Sequence, residues 1–463
     1  MLSLATSRSR RRVPTLAITA LSLAATLLAS GPAHSAPLRI AARTAGAHPV
    51  PAVTGHLLAG TSSSPPTTAL CQATFHINCY SPVQMRTAYH LAPLYGLGVT
   101  GAGRTIAIVD AFGSPTIRHD LHVFDQTYGI ADPPSLKIIQ PAGHSTFNPN
   151  DPVQIGWGQE TTLDVEYAHA IAPRANILLV ETPVAETEGV TGFPEIVAAE
   201  NYVVDHGLAD VITQSFGATE TTFPTQQSLL DLRSAFINAN ERGVTVLASS
   251  GDAGATNPIS QDGSVLSTVP VNSWPSSDPL VTSIGGTQLH LDAAGHKTSP
   301  DVTWNDGFGA SGGGVSQVFS RPAFQDGVSA IVGAHRGTPD VSMSAAVDGA
   351  AIFYYSFDPA HVGWHLVGGT SEASPLFSGI VALTAQLAHR SLGNINQDLY
   401  TLNRVRASGI VDVTSGDNSF AGVTGYPALP GYDMATGIGT VDGFAFVPQL
   451  LLASQHPALP STP

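Results

Sequence analysis

The stretch GGTSEASPLFSGI, from Gly368 to Ile380, displays a serine as nucleophiles are often displayed. Small residues make a tight turn, Ser371 follows, and after Pro375 the chain turns apolar with helical spacing. A hydroxyl at a helix start lies beside unpaired backbone N–H groups, and it attacks a carbonyl once a base takes its proton. No histidine in a recognisable setting supplies that base. Carboxyls do stand at suggestive spacings. Glu160 and Asp164, in GQETTLDVEYAHA, are four apart on an expected helix, so both point the same way. Like charges at this spacing weaken a helix, and Leu163, Val165, Tyr167 and Ala168 leave little room for a solvated acidic face. A crowded carboxyl pair has at least one raised pKa, which makes a usable general base in acid. Asp252, in VTVLASSGDAGA, ends an apolar run and precedes small residues. It is either a turn aspartate bonding its own backbone or a protonated acid able to donate to an oxyanion.

These residues need a frame that brings them together. RTIAIVDAF (104–112) reads as a buried parallel strand, and Ser114-Pro115 as the cap of a helix running to about Tyr128. LKIIQ, ANILLVE, ADVITQSFG, VTVLASSGD and LVTSIGG are further strands. GQETTLDVEYAHAIA, PEIVAAENYVVDH, TQQSLLDLRSAFINANERG (as one long helix) and PLFSGIVALTAQLAHR are helices between or after them. The alternation implies an α/β fold with a doubly wound, mostly parallel sheet and helices on both faces. Function in such a sheet sits at the C-terminal strand ends.

The set Glu160-x-x-x-Asp164, SSGD and GTS-x-A-S-P, in this order, resembles the sedolisins, the serine-carboxyl peptidases of subtilisin-like fold. TIAIVDAFG, IAPRANI, ASGGGVSQVFSRPAFQ and RGTPDVSMSA extend the resemblance over roughly Tyr80 to Gly443. The resemblance implies that Ser371 is the nucleophile and Glu160 its base. It implies that Asp164 holds Glu160, and that a protonated Asp252 stabilises the oxyanion. With ordinary carboxylate pKa values such a scheme runs at roughly pH 3 to 5. It also places GASGGGVS (309–316) beside the substrate cleft. The rival is a Ser/His/Asp triad using Asp110, at the end of the first strand. No HGT-like motif follows it, and His169 lies over two turns from Glu160 in an apolar AHAIA setting. A tripeptidyl-peptidase of the same family and a catalytically inactive binding protein on the same fold stay open.

Asp412 in VDVTSGD and Asp433 in LPGYDMATGIG lie on glycine-rich loops, and suit either ordinary turns or a hard cation. The resemblance implies one structural Ca2+, with carbonyls from Val413, Leu429 and Gly431 completing the set. Among these Leu429 departs from the glycine more usual there.

The whole chain has 463 residues, 11% charged, and a net charge of −15, which argues against nucleic acid or an anionic membrane as partner. Protein or peptide substrates and a monomer are expected. Arg8 to Arg12, the apolar LAITALSLAATLLAS and the small residues of AHSA read as a cleaved export signal over 1–35. Residues 36–70 read as a linker or short pro-segment, where the sedolisins carry a long folded pro-region. The catalytic domain spans 71–453, and 454–463 reads as a disordered tail. Cys71 and Cys79 are expected to pair in an exported chain.

Overall fold

The computed structural model describes residues 54–57, 64–261 and 263–455. The export signal read at 1–35, and the tail from 456 onward, lie outside the described residues. In chain order, β1 (Thr105–Ala111) leads through α1 (Ile117–Tyr128) to β2 (Leu136–Ile139). Then come α2 (Pro152–Ile171), β3 (Asn176–Thr182), α3 (Phe193–Asp205), β4 (Val211–Gln214), β5 (Thr245–Ser249) and β6 (Thr282–Gln288). β7 (Val302–Thr303) pairs antiparallel with β6, and β8 (Val341–Ser344) pairs parallel with it. The spatial order β7-β6-β5-β4-β1-β3-β2 makes the expected doubly wound sheet, parallel except at β7.

Strand periodicity divides the core. Ile106 and Ile108 of β1, with Ile177 and Leu179 of β3, face one apolar cluster. Ala107, Val109 and Ala111, with Leu178 and Val180, face the other. The first cluster holds α2 and α4 (Thr370–Ala388), which pack together; the second holds α3. By the same parity Asp110 points to the α2 side. β1 has β3 on one flank and β4 on the other, so the winding reverses there. The crevice at the C-terminal ends of these strands is where an open α/β sheet builds its site.

A second sheet carries the antiparallel hairpin of β9 (Ala350–Tyr355) and β10 (Gly363–Gly368), and β10 runs directly into α4. The 36–70 linker reading gives way at two places. Thr54–Leu57 is a strand paired antiparallel with β10, and a helix already begins at Thr68. A backbone edge on β10 was free to be paired, which composition does not reveal. Cys71 and Cys79 form a disulfide joining that helix to the strand Cys79–Tyr80.

The single long helix expected over TQQSLLDLRSAFINANERG is two, Gln226–Leu230 and Ser234–Arg242. The break falls at Arg233, whose guanidinium makes two bonds, 2.5 and 2.9 Å long, to the buried Asp278. That ion pair outweighs continuous helix propensity. α1 starts at Ile117 rather than at a Ser114-Pro115 cap, and Thr116 gives its hydroxyl to Asp120 at 2.6 Å instead of capping.

Candidate active site

The central helix α2 presents the carboxyl pair. Asp151 caps it, accepting from the Val153 N–H at 2.9 Å, and Pro152 occupies the first turn. From Leu163 to Ile171 it is buried on every side, so Glu160 and Asp164 cannot share a solvated face. Both are fully buried. Burial first, then the charges of Asp164 and Asp110, push Glu160 well above the usual carboxyl range. Burial and Asp110 do the same to Asp164, against the Ser215 hydroxyl. Asp110 joins this pair, brought there by strand parity. Burial pushes it up to about 7, with Thr161 opposing and Glu181 assisting. Three neighbouring buried carboxyls share protons as one unit.

Ser371 stands on the first turn of α4. Gly368 must lack a side chain, because a Cβ there would lie 2.6 Å from the Val347 nitrogen. Pro375 has no N–H for the Ser371 carbonyl one turn back. The Ser215 hydroxyl lies 3.4 Å from that carbonyl and donates to Asp164 Oδ1 at 3.0 Å. Ser215 therefore links the nucleophile's backbone to the carboxyl pair. Neither Glu160 oxygen has a hydrogen bond of normal geometry. The Ser371 hydroxyl donates at 3.5 Å to the Ser215 carbonyl, and its proximity favours the ionised form of Glu160. Such contacts tighten when substrate arrives.

Asp252 follows β5. Its Oδ1 accepts from both the Thr370 N–H, at 2.7 Å, and the Thr370 hydroxyl, at 2.8 Å. Its Oδ2 is buried without a partner. Burial pushes the group up to about 7 against those two donors. With Oδ1 doubly engaged, the proton of the neutral acid belongs on Oδ2, beside the nucleophile's turn. The simple turn-aspartate reading does not match this arrangement, since its bonds go to Thr370 and not to its own loop.

The glycine-rich stretch 309–316 lies against the loop carrying Asp252. Ala310 N–H donates to the Asp252 carbonyl at 2.9 Å and Gly312 N–H to Gly251 at 2.7 Å. A Cβ on Gly312 would come within 2.2 Å of the Ser250 oxygen. A cavity of about 210 Å3 opens here, bounded by Ser215, Phe216, Asp252, Leu266, Thr370 and Phe420 among others.

His169 is fully buried on α2, 3.2 Å from Asp125 and 3.1 Å from the Ala131 carbonyl. Its Nε2 is engaged by those two partners, so His169 does not serve as the base of a histidine triad with Ser371 and Asp110. Sequence reasoning weighed Asp110 only for that triad and passed over Ser215 and Thr370. The alternation of β1 was the available signal for Asp110. An isolated serine and threonine carry none.

The five residues read as cation ligands also come together. Gly431 N–H donates to Asp412 Oδ2 at 2.9 Å, and Leu429 N–H to Asp433 Oδ2 at 3.0 Å. Among the described residues, the carbonyls of Val413, Leu429 and Gly431 accept no hydrogen bond. Asp433 also accepts from the N–H groups of Ala435, at 2.9 Å, and Thr436, at 2.8 Å, so its carboxylate is held within its own turn; with Asp412 and the three carbonyls it still offers the hard oxygens that suit Ca2+. No group of three or more histidine, cysteine or acidic side chains stands together as a metal site among the described residues.

Fold and site together define a subtilisin-type chain whose serine faces carboxyls in place of histidine. The Subtilase family model matches residues 142–408. Kumamolisin of Bacillus sp. (strain MN-32) is 31% identical over 392 residues, covering 82% of this chain and 65% of that protein. Tripeptidyl-peptidase SED4 of Arthroderma otae is 32% identical over 276 residues, 51% of this chain and 41% of its own length. The solved structure of Pseudomonas sedolisin (serine-carboxyl proteinase) in complex with pseudo-iodotyrostatin superposes with a TM-score of 0.70 at 29% identity. That match covers 80% of this chain and 98% of the solved one. The chain belongs to the subtilase family, in its sedolisin branch of serine-carboxyl peptidases. It spans less than two thirds of the length of the curated relatives named here.

Proposed function

We propose that this chain is a secreted, acid-acting endopeptidase that uses Ser371 as nucleophile and Glu160 as its base. The observation that carries this reading is the link through Ser215 from the turn of Ser371 to the buried carboxyl set, while Asp252 keeps an unpartnered oxygen next to that turn. Ser371 Oγ bonds to the peptide carbonyl carbon as its proton passes to Glu160. Asp164, held by Ser215, positions Glu160 and shares its proton. Asp252 donates from Oδ2 to the oxyanion. Collapse breaks the C–N bond, and Glu160 returns the proton to the leaving amine. Water then attacks the acyl-serine, losing a proton to Glu160, and collapse breaks the C–Oγ bond as Glu160 passes that proton to Ser371 Oγ and the acid leaves.

Two titrations bound the activity. The rising limb follows the first ionisation of the carboxyl set. The falling limb follows loss of the Asp252 proton, at about 7. Burial thus moves the window upward from the pH 3 to 5 expected with ordinary carboxyls.

Asp412 and Asp433, with the carbonyls of Val413, Leu429 and Gly431, would hold one Ca2+. When bound, the ion cross-links two loops by electrostatic attraction. Ala435, two residues past Asp433, accepts the Ser311 hydroxyl at 2.8 Å, so this region props the cleft wall.

Secretion and a monomeric state are part of the same reading. The sequence signal at 1–35 supports the first, and among the described residues no helix is long and apolar enough to cross a membrane. The relative named as a tripeptidyl-peptidase keeps a second reading in view. Cleavage of an acid-unfolded protein is measured across pH for the chain and its Ser371→Ala and Glu160→Gln variants. Activity on the acid side of neutrality that both variants lose is expected. Activity that peaks above neutrality and survives Glu160→Gln overturns the mechanism. Cleavage of peptides with a blocked amino terminus distinguishes endopeptidase from tripeptidyl-peptidase.

A further inference from the structure

One carboxyl adjoins the nucleophile in sequence and takes no part in that mechanism. Glu372 is the third residue of α4, after Thr370 and Ser371. A glutamate at that position ordinarily reaches back to the backbone N–H of the helix cap. Here the cap is Gly369, and its N–H already goes to the Ala345 carbonyl at 2.6 Å. Glu372 lies wholly in the core instead, and neither of its oxygens has a hydrogen bond of normal geometry.

Its surroundings are the supports of the nucleophile's turn. The Ser344 hydroxyl and the Ala351 N–H are close enough to favour its ionised form. Ser344 ends β8 and precedes Ala345, the residue that holds Gly369. Ala351 of β9 pairs with Val367 of β10, two residues before Gly369. The strands that enclose Glu372 therefore also hold the turn. The titratable groups facing Glu372 are Tyr89, whose hydroxyl accepts from the Ser344 N–H at 2.6 Å, and Tyr167 of α2. Burial keeps both phenols neutral. Tyr89 in turn faces Asp301 and Lys297, which pair with each other at 2.8 Å. Among the described residues Glu372 is left without a cationic partner.

Burial pushes Glu372 well above the usual carboxyl range, so in acid it is neutral. A helix N-terminus favours a carboxylate, but burying the charge without a cation outweighs that attraction. Once ionised, the group is relieved only by water or by movement of the strands and turn around it. Such movement displaces Ser371, one residue away.

Resting on the peptidase reading above, we propose that Glu372 is a positioning residue that must carry its proton to seat Ser371. Its ionisation unseats the nucleophile while the rest of the chain stays folded. This is a second shut-off on the alkaline side, separate from loss of the Asp252 proton.

The test reads kcat/KM for one peptide from about pH 4 to about pH 9, spanning ordinary and strongly raised carboxyl values, with tryptophan fluorescence reporting the fold at each pH. In the wild type the falling limb should steepen from about tenfold to about a hundredfold per pH unit as the second proton is lost. Asp252→Asn removes the first titration, and a fall of about tenfold per unit should remain at higher pH. Adding Glu372→Gln, an amide of the same shape with no proton to lose, should flatten that residual limb. Adding Glu200→Gln should not. A residual limb that survives Glu372→Gln overturns the assignment, as does one that coincides with unfolding. Should Glu372→Gln fail to fold, a wild-type limb that stays at about tenfold per unit in folded protein overturns it independently. If cleavage depends on Ser371 yet shows no second titration, only the Glu372 assignment falls. If the wild type neither cuts the peptide nor takes up a serine-directed phosphonate at any pH, the peptidase reading falls and takes the assignment with it.

Discussion

Glu200 gives a sharp test of the physics of this chain, because it lies outside the candidate site. It sits on α3, on the sheet face opposite α2, with 1% of its surface exposed. Both carboxyl oxygens are buried without a hydrogen-bond partner. Burial alone pushes its pKa from 4.5 up to about 8. The folded protein therefore holds a proton over a range where the unfolded chain has released it. Stability falls with pH wherever the unfolded state binds fewer protons. The contribution of Glu200 is fully present below about 4.5 and is lost as pH rises through about 8. At 1.36 kcal/mol per pH unit, the gap between those two values amounts to about 5 kcal/mol. Against a total of about 5–15 kcal/mol for a typical domain, that is a large share.

Glu200→Gln keeps the shape and removes the titration. The assay is urea unfolding at pH values near 4 and 8, bracketing the two pKa limits, in a Ser371→Ala background so that unfolded chains are not digested. At the lower pH the two proteins should differ little, since an amide and a neutral acid are similar guests. Near pH 8 the glutamine protein should be more stable by up to about 5 kcal/mol. Equal loss of stability in both proteins between the two pH values would refute the reasoning. It would mean that water or a rearranged partner solvates Glu200 once it ionises.

Three further outcomes follow from the site. Asp252→Ala should cost about 10²–10³ in kcat with KM little changed, whereas Asp252→Asn should keep more activity and lose the falling limb near 7; steady-state pH profiles decide both. Thr370→Val removes a donor that favours the ionised form of Asp252, so the falling limb should move to higher pH, read in the same profiles. A chelator should lower the melting temperature, reversing a stabilisation of about 2.7 kcal/mol at a Ca2+ concentration a hundredfold above Kd, and Asp433→Ala should abolish that response.

How much of this was legible in the sequence depends on the range of the interaction. The helix carrying Glu160 and Asp164 could be read because its cause is local: apolar residues all round and a spacing of four. The doubly wound sheet could be read because strand and helix runs alternate. Arg233 broke an expected helix because its partner, Asp278, lies 45 residues away. Thr370 and Ser215 were invisible because a hydroxyl's role depends on what stands opposite it. The largest gap was electrostatic. Ordinary carboxyl pKa values underlay the sequence expectation of pH 3 to 5, but burial is a property of the fold. Glu160, Asp164, Asp110 and Asp252 each lie where water is excluded, and none is salt-bridged to a cationic side chain. Glu166, Glu186, Glu200 and Glu372 are buried the same way outside the proposed mechanism. A chain that buries carboxyls in this manner is most stable when they are protonated. The same protonation that Asp252 needs to act as a donor also holds the core neutral. Acid should therefore favour the fold and the Asp252 donor together, while Glu160 must still ionise to act as base, so activity should peak between those two demands as stability falls with rising pH.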